Sequence, residues 1–376
     1  MKILMIINSF YPLMGGAEKQ AERLSSELIN KNKDVFVTVI TRHYRGLKRR
    51  EFVSGIEVIR LPAIGPGKLK PLTFLIYCFL YLLLKNKKYD VLHAHSLSLG
   101  GFAVALFGKI FNKPAISKIA GGGSSKGCEA INMYCAGGLK RWRLNYIKKN
   151  ISKVIAISDA INSDLKKLGF SENTIERINN GISMERNNTK SSDVLSLSNS
   201  FDVYVYTGRY ELIKGTDILL KAWYGTSEDF RKSSKLVLMG KGSIDVQSLI
   251  KDGSVINMGY VENTEEYLVQ GNYFILPSRY EGISNALLEA IKNNNFVIAS
   301  NVGGNKDIIK NGLSGFIFEK ESVSDLISKL ELTKKIERKE KEDLIASSYS
   351  HLDANFNLNK ISESYKQLYK RVIEEK

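Results

Sequence analysis

Short apolar runs alternate with amphipathic stretches along the whole chain. In the first half the runs occupy residues 3–8, 35–41, 56–61, 91–95, 115–119 and 154–158. Each is a near-continuous series of aliphatic residues, the pattern of a strand covered on both faces. Between the first two, Ala17, Ala21, Leu24 and Leu28 recur at helical spacing behind Gly15-Gly16. A polar, Ser- and Asn-rich stretch at 186–200 interrupts the series. A second alternation follows at 203–207, 235–239, 255–258, 273–276, 296–299 and 315–318, and the chain closes on a charged amphipathic helix at 357–376. This predicts an α/β protein of two doubly wound parallel-sheet domains, 1–185 and 201–356, joined by the 186–200 linker. A ligand cleft is expected between them, at the C-terminal ends of the strands.

Composition narrows the field. The 376 residues are 43% hydrophobic and 25% charged, which excludes wholesale disorder, and no repeat period is visible. Three cysteines (Cys78, Cys128, Cys135) form neither a disulfide framework nor a metal pattern, so a reducing cytoplasm is expected. The N-terminus lacks the pattern of a signal peptide. The net charge of +16 is uneven: residues 1–185 hold 29 Lys+Arg against 13 Asp+Glu, whereas 186–376 hold 26 of each. An excess confined to one half suggests nucleic acid, anionic lipid or a phosphorylated substrate, or else plain solubility charge. No helix-turn-helix, zinc-finger or RRM pattern accompanies it, so nucleic acid is not the expected partner.

Three segments of the second half carry candidate chemistry. Thr207-Gly208-Arg209 and Lys214-Gly215 follow a strand and open a helix. Backbone N–H groups there, with a guanidinium and an ammonium, suit a diphosphate. In the run Pro277 to Glu289, the turn Gly282-Ile283-Ser284 precedes a helix, and Glu281 and Glu289 stand eight residues apart. Two such carboxylates can accept from sugar and ribose hydroxyls; a helix-capping Glu281 and a solvated Glu289 are the plain alternative. The third segment, Ala299 to Gly304, ends in a glycine pair after a strand.

Taken together, RxxxxKG at 209–215, PSxxEGxxNxLLEA at 277–290, VIASxxGG at 297–304 with Asp307-Ile308-Ile309 after it, and NGxSGF at 311–316 resemble the retaining family-4 glycosyltransferases, of the "glycosyl transferases group 1" type. PLMGGAE at 12–18, DVLHAH at 90–95, IAIS at 155–158 and INNGIS at 178–183 extend the resemblance over nearly the whole chain. It implies the GT-B fold, two Rossmann-like domains facing across a cleft. The second domain would bind a nucleotide sugar, the first the acceptor, and the last helix would return to the first domain. Arg209 and Lys214 would hold the diphosphate, and Glu289 the ribose. Glu281 would contact the donor sugar beside the backbone of Gly282, Ile283 and Ser284, while Gly15 and Gly16 would let a first-domain loop approach the diphosphate. Glu281, Arg209 and Lys214 are the catalytic candidates. No cofactor is expected, the nucleotide sugar being a substrate. No DxD-type acidic cluster is in position for Mg²⁺, so catalysis is expected to be electrostatic and metal-free.

Departures from the family pattern bear on the acceptor side. Many relatives place a His-Gly after the strand that ends near Ile119; here the sequence is Ala120-Gly121-Gly122-Gly123-Ser124-Ser125-Lys126-Gly127. Gly122 and Lys126 therefore become acceptor candidates, suited to an anion. Asn293-Asn294-Asn295 replaces a Gly and a Pro, a change that Asn's tolerance of left-handed backbone allows. Of His93 and His95, at a strand end, only one is expected to face the site, and His95 is taken as the candidate.

The acceptor itself is read from the basic half. The apolar stretch 72–84, thirteen residues, falls short of the roughly 20 needed to span a bilayer and is expected not to cross. Lys85, Lys87 and Lys88 follow it, and Lys140-Arg141-Trp142-Arg143 with Tyr146, Lys148 and Lys149 mixes cations with aromatics. These suit an anionic membrane interface, against the plainer readings of a helix packed under the sheet and a solvated helix face. The expectation is a cytoplasmic enzyme peripheral on the inner face of the cell membrane. It would move a hexose, from a UDP-sugar by preference, to a polyprenyl-diphosphate-linked glycan in bacterial surface polysaccharide synthesis. A soluble transferase with a small-molecule or peptide acceptor is the alternative, and a non-catalytic nucleic-acid- or sugar-nucleotide-binding protein the reading outside enzymes.

Overall fold

The computed structural model describes residues 1–119, 128–186 and 197–376. They form two compact units, Met1–Gly181 together with Leu358–Lys376, and Ile182–Asn357. The charge separates more sharply along this division. The first unit carries 34 Lys+Arg against 15 Asp+Glu, a net of +19, and the second 21 against 24, a net of −3.

The first unit is built on eight strands: β1 (Lys2–Ile6), β2 (Phe36–Arg42), β3 (Arg50–Val53), β4 (Ile56–Leu61), β5 (Val91–Ala94), β6 (Ala115–Ile119), β7 (Lys153–Ala156) and β8 (Ile175–Arg177). Their order is β3-β4-β2-β1-β5-β6-β7-β8. All pairings are parallel except β3 with β4. The apolar pattern did not mark β3 or β8: β3 is a half-exposed edge strand with charged residues, and β8 has three residues. The β3–β4 turn is Ser54-Gly55 with φ of 51° and 79°, the left-handed pair a two-residue hairpin needs. Helices Leu69–Lys85, Leu99–Ile110 and Gly138–Asn150 lie side by side, the middle one touching both others. Helix Gly16–Lys31 packs instead with the terminal helix Leu358–Glu374, whose one apolar face buries Leu358, Ile361, Tyr365, Leu368, Tyr369 and Val372. The Gln20 amide clasps the backbone of Gly181, donating to its carbonyl at 3.0 Å and accepting from its N–H at 3.2 Å.

The second unit holds six parallel strands: β9 (Asp202–Thr207), β10 (Ser234–Met239), β11 (Val255–Gly259), β12 (Tyr273–Leu276), β13 (Phe296–Ser300) and β14 (Phe316–Phe318). Their order is β11-β10-β9-β12-β13-β14. One core is strongly aromatic, with Tyr204 stacked on Tyr273 at 4.4 Å and packed edge-on to Trp223 at 5.4 Å. In each unit the chain first winds outward one way and then returns to wind the other. That reversal leaves a crevice at the strand C-termini between β1 and β5, and between β9 and β12.

Candidate active site

The second unit's crevice brings together the segments read from the sequence. The segment after β9 carries Arg209 and Lys214, and the segment after β12 carries Glu281 to Ser284. Across it, Lys214 Nζ donates to Glu281 Oε1 at 2.6 Å. Glu281 is buried, and the same oxygen accepts from the fully buried Ser278 hydroxyl at 2.6 Å. Arg209 is exposed, and its guanidinium makes no side-chain hydrogen bond or ion pair among the described residues. Ser284 caps the helix Asn285–Lys292, its Oγ accepting from Leu287 N–H at 3.3 Å. Gly282 and Ile283 are buried beside it, and Glu289 lies half-buried in the second turn of that helix. The first turn's remaining N–H groups are directed to the crevice mouth with the positive end of the helix dipole.

The loops are packed backbone against backbone, which explains the glycines. Gly215 and Gly303 have φ of 71° and 42°. A Cβ on Gly215 would overlap the Pro277 carbonyl, and one on Gly303 or Gly304 the carbonyls of Glu281 and Gly282. The Gly303-Gly304 turn therefore buttresses the Glu281 loop from beneath. Asn294, in the substituted turn, has φ of 61°, the left-handed conformation foreseen for it.

One contributor has no role in the sequence reading. Arg279 forks onto Asp217 at 2.8 and 2.9 Å and donates through Nε to Glu321 at 2.7 Å. It also bonds the Leu212 carbonyl, and its own N–H donates to the Ile213 carbonyl at 2.8 Å. The guanidinium thus ties the β12 loop to the segment bearing Lys214. Burial acts to raise the Asp217 carboxyl, but the Arg279 fork outweighs it and holds the group below its ordinary value. Arg279 stood inside the recognised run, yet its partners lie 62 and 42 residues away, so no local signal marks the clamp.

On the first unit, Gly15 caps the helix Gly16–Lys31, its N–H donating to Glu18 Oε2 at 3.1 Å, with Ser9 holding the other carboxylate oxygen at 2.6 Å. A Cβ on Gly15 would meet that carboxylate; Gly16 begins the helix. The expectation for the two histidines is corrected. Residues two apart on a strand share a face, and His93 and His95 stack at 4.6 Å, both buried. His93 Nδ1 pairs with Tyr369 OH at 2.7 Å, and both His95 ring nitrogens lack a partner among the described residues. Burial, seconded for His93 by Lys118, lowers both imidazoles, His93 to about 3, so both rings are neutral at pH 7. The Lys118 ammonium sits 5.5 Å from the Tyr365 ring centroid, and burial lowers it to about 7. His95 is thus part of a covered cluster under the terminal helix. Gly122 and Lys126 lie outside the described residues. Among the described residues no three His, Cys, Asp or Glu side chains gather as a metal-ligand set.

Residues 202–333 match the family described as glycosyl transferases group 1, and residues 14–186 match Glycosyltransferase Family 4. Both halves of the chain thus match glycosyltransferase families, and the chain is a glycosyltransferase. An uncharacterized glycosyltransferase of Methanocaldococcus jannaschii is 24% identical over 88% of this chain and 87% of its own length. An Escherichia coli UDP-Gal:alpha-D-GlcNAc-diphosphoundecaprenol alpha-1,3-galactosyltransferase is 24% identical over 67% of this chain and 68% of its own. Among solved structures, Anabaena HepE in complex with UDP and glucose superposes at a TM-score of 0.79 with 18% identity, covering 99% of this chain and 100% of that one. The two Rossmann-like domains of this glycosyltransferase are those of the GT-B fold.

Proposed function

We propose that this glycosyltransferase moves a hexose from a UDP-sugar, with retention and without a metal, to a hydroxyl of a polyprenyl-diphosphate-linked glycan in bacterial surface polysaccharide synthesis. The Lys214–Glu281 pair at the β9/β12 crevice carries this reading. Ammonium and carboxylate satisfy one another. An arriving diphosphate is a stronger partner for Lys214 and the exposed Arg209. Its binding releases Glu281 oxygens, still fixed by Ser278, to accept from the sugar's hydroxyls. As the bond from sugar to phosphate breaks, charge grows on the leaving diphosphate. Arg209, Lys214 and the N–H groups at the start of the 285–292 helix are already oriented to receive it. The leaving phosphate then takes the acceptor hydroxyl's proton, and Glu281 orients the sugar. Glu289 takes the ribose, and the basic first unit the anionic acceptor. The names of the HepE complex and of the Escherichia coli relative support uridine and a diphosphate-linked lipid respectively.

The test is donor hydrolysis without acceptor across a panel of UDP-, GDP- and ADP-sugars, with released sugar followed by NMR. Slow release of one sugar from a UDP donor, as the retained anomer, unchanged by EDTA and reduced at least tenfold by Arg209→Ala or Glu281→Gln, is the expected result. Inverted product refutes retention, and loss with EDTA refutes metal-free catalysis.

A further inference from the structure

The helix Leu69–Lys85 contradicts the ordinary rule for a helix that is apolar all round, which belongs in a core. Only Phe74, Cys78 and Leu82, one narrow stripe, are buried. Leu69, Leu72, Ile76, Leu80, Leu83 and Leu84 face outward, from 46% exposed at Leu80 to 80% at Leu84. The reading of a helix packed under the sheet for most of its length is therefore corrected. Six such side chains present about 500 Å² of apolar surface, the scale at which a monomer's patch marks an interface.

The surroundings select the occupant. Lys68 and Lys70 flank the stripe at one end and Lys85, Lys87 and Lys88 at the other, on a unit of net charge +19. Beyond the 99–110 helix, exposed Leu139 and Trp142 flank Lys140 and Arg141, with the Trp142 ring tilted against Phe102 at 5.6 Å. Cations bordering aliphatic and indole surface match an anionic bilayer interface, where acyl chains cover the stripe and headgroups meet the lysines. With its 3-10 continuation the helix runs from Leu69 to Lys88, 20 residues, enough by length and composition to cross a membrane, so shortness does not decide the matter. Topology does: β4 before it and β5 after it belong to one sheet, and a spanning helix would leave them on opposite sides. We infer that this helix lies in the plane of an anionic membrane surface, docking the first unit through Leu72, Ile76, Leu80, Leu83 and Leu84. The helix N-terminus stands at the strand C-terminal edge, the edge of the β1/β5 crevice, so docking along it brings that crevice to the headgroup layer. The inference deepens the lipid-linked acceptor reading by naming the surface that reaches the lipid, and its test needs neither donor nor acceptor.

Flotation of the full chain with phosphatidylcholine vesicles, with or without phosphatidylglycerol, is the experiment. Expected is recovery with the anionic vesicles at low salt, and a blue shift of tryptophan emission from Trp142, since Trp223 is buried. Leu72→Gln/Ile76→Gln/Leu80→Gln/Leu83→Gln should weaken binding at least about tenfold with unchanged urea unfolding. Lys85→Ser/Lys87→Ser should remove most of the salt-sensitive part. No flotation at low salt, or a quadruple variant that floats like its parent, overturns the proposal. So does a concentration-dependent dimer that the quadruple variant abolishes while vesicles leave the parent unbound. Donor hydrolysis measured on the same preparations keeps the two readings apart: intact hydrolysis without flotation sinks the docking alone.

Discussion

Replacing Lys118 by Met should stabilise the first unit markedly at pH 7 and only slightly at pH 10. The side chain is 2% exposed, beneath Tyr365, and no carboxylate pairs with it among the described residues. Burial brings its ammonium from 10.5 to about 7. In the unfolded chain the amine keeps its proton up to its ordinary value, while in the folded unit it releases it from about 7 upward. Between those limits the unfolded state binds more protons, so stability rises with pH. The cost of burying this amine is then about 4 kcal/mol at pH 7 and about 1 kcal/mol at pH 10. Methionine has a similar length and no charge to desolvate, so Lys118→Met removes that cost. Any packing difference is common to both pH values and cancels in the comparison. The assay is urea unfolding by far-UV circular dichroism, with Trp223 emission, read in a Trp142→Phe background, as the internal reference for the second unit. At a slope of about 3 kcal/mol/M, the first-unit midpoint should move up by about 1.3 M at pH 7 and by a few tenths of that at pH 10. Equal shifts at the two pH values, or a lower midpoint at pH 7, would refute a desolvated, unpaired ammonium.

Two further outcomes concern the second unit. Arg279→Lys keeps the charge but loses the fork onto Asp217 and the Nε bond to Glu321. It should cost about 1–2 kcal/mol of stability and lower kcat/KM for donor hydrolysis by freeing the Lys214 segment, read by denaturation and steady-state kinetics. Gly303→Ala must adopt a left-handed φ and displace the Glu281 carbonyl. It should destabilise the second unit by about 2–3 kcal/mol and abolish most hydrolysis, whereas Gly312→Ala, strained in φ but with open space, should leave hydrolysis intact.

Much of the second unit's crevice was legible because its candidate residues are local in sequence. Arg209 and Lys214 share one loop, and Glu281, Ser284 and Glu289 one loop and helix, so spacing alone places them at one strand edge. The glycines were equally visible as letters, but not their purpose. That Gly303 and Gly304 admit the carbonyls of Glu281 and Gly282 depends on two loops meeting across the sheet. The first unit's candidates were less legible. His95 carried the right residue type at the right edge, but the terminal helix, more than 260 residues further on, covers it and pairs His93 with Tyr369.

Sequence by itself determined the two α/β domains, the crevice-forming strand series and the uneven charge, because apolar periodicity and composition are properties of neighbours along the chain. Only the tertiary structure decided that Lys214 neutralises Glu281, that Arg279 joins two distant loops, and that Lys118 is buried with no carboxylate partner among the described residues. It also turned the apolar face of the 69–85 helix outward. These are distances between residues far apart in sequence, and a residue's type says what it can pair with, while the fold alone says what it meets.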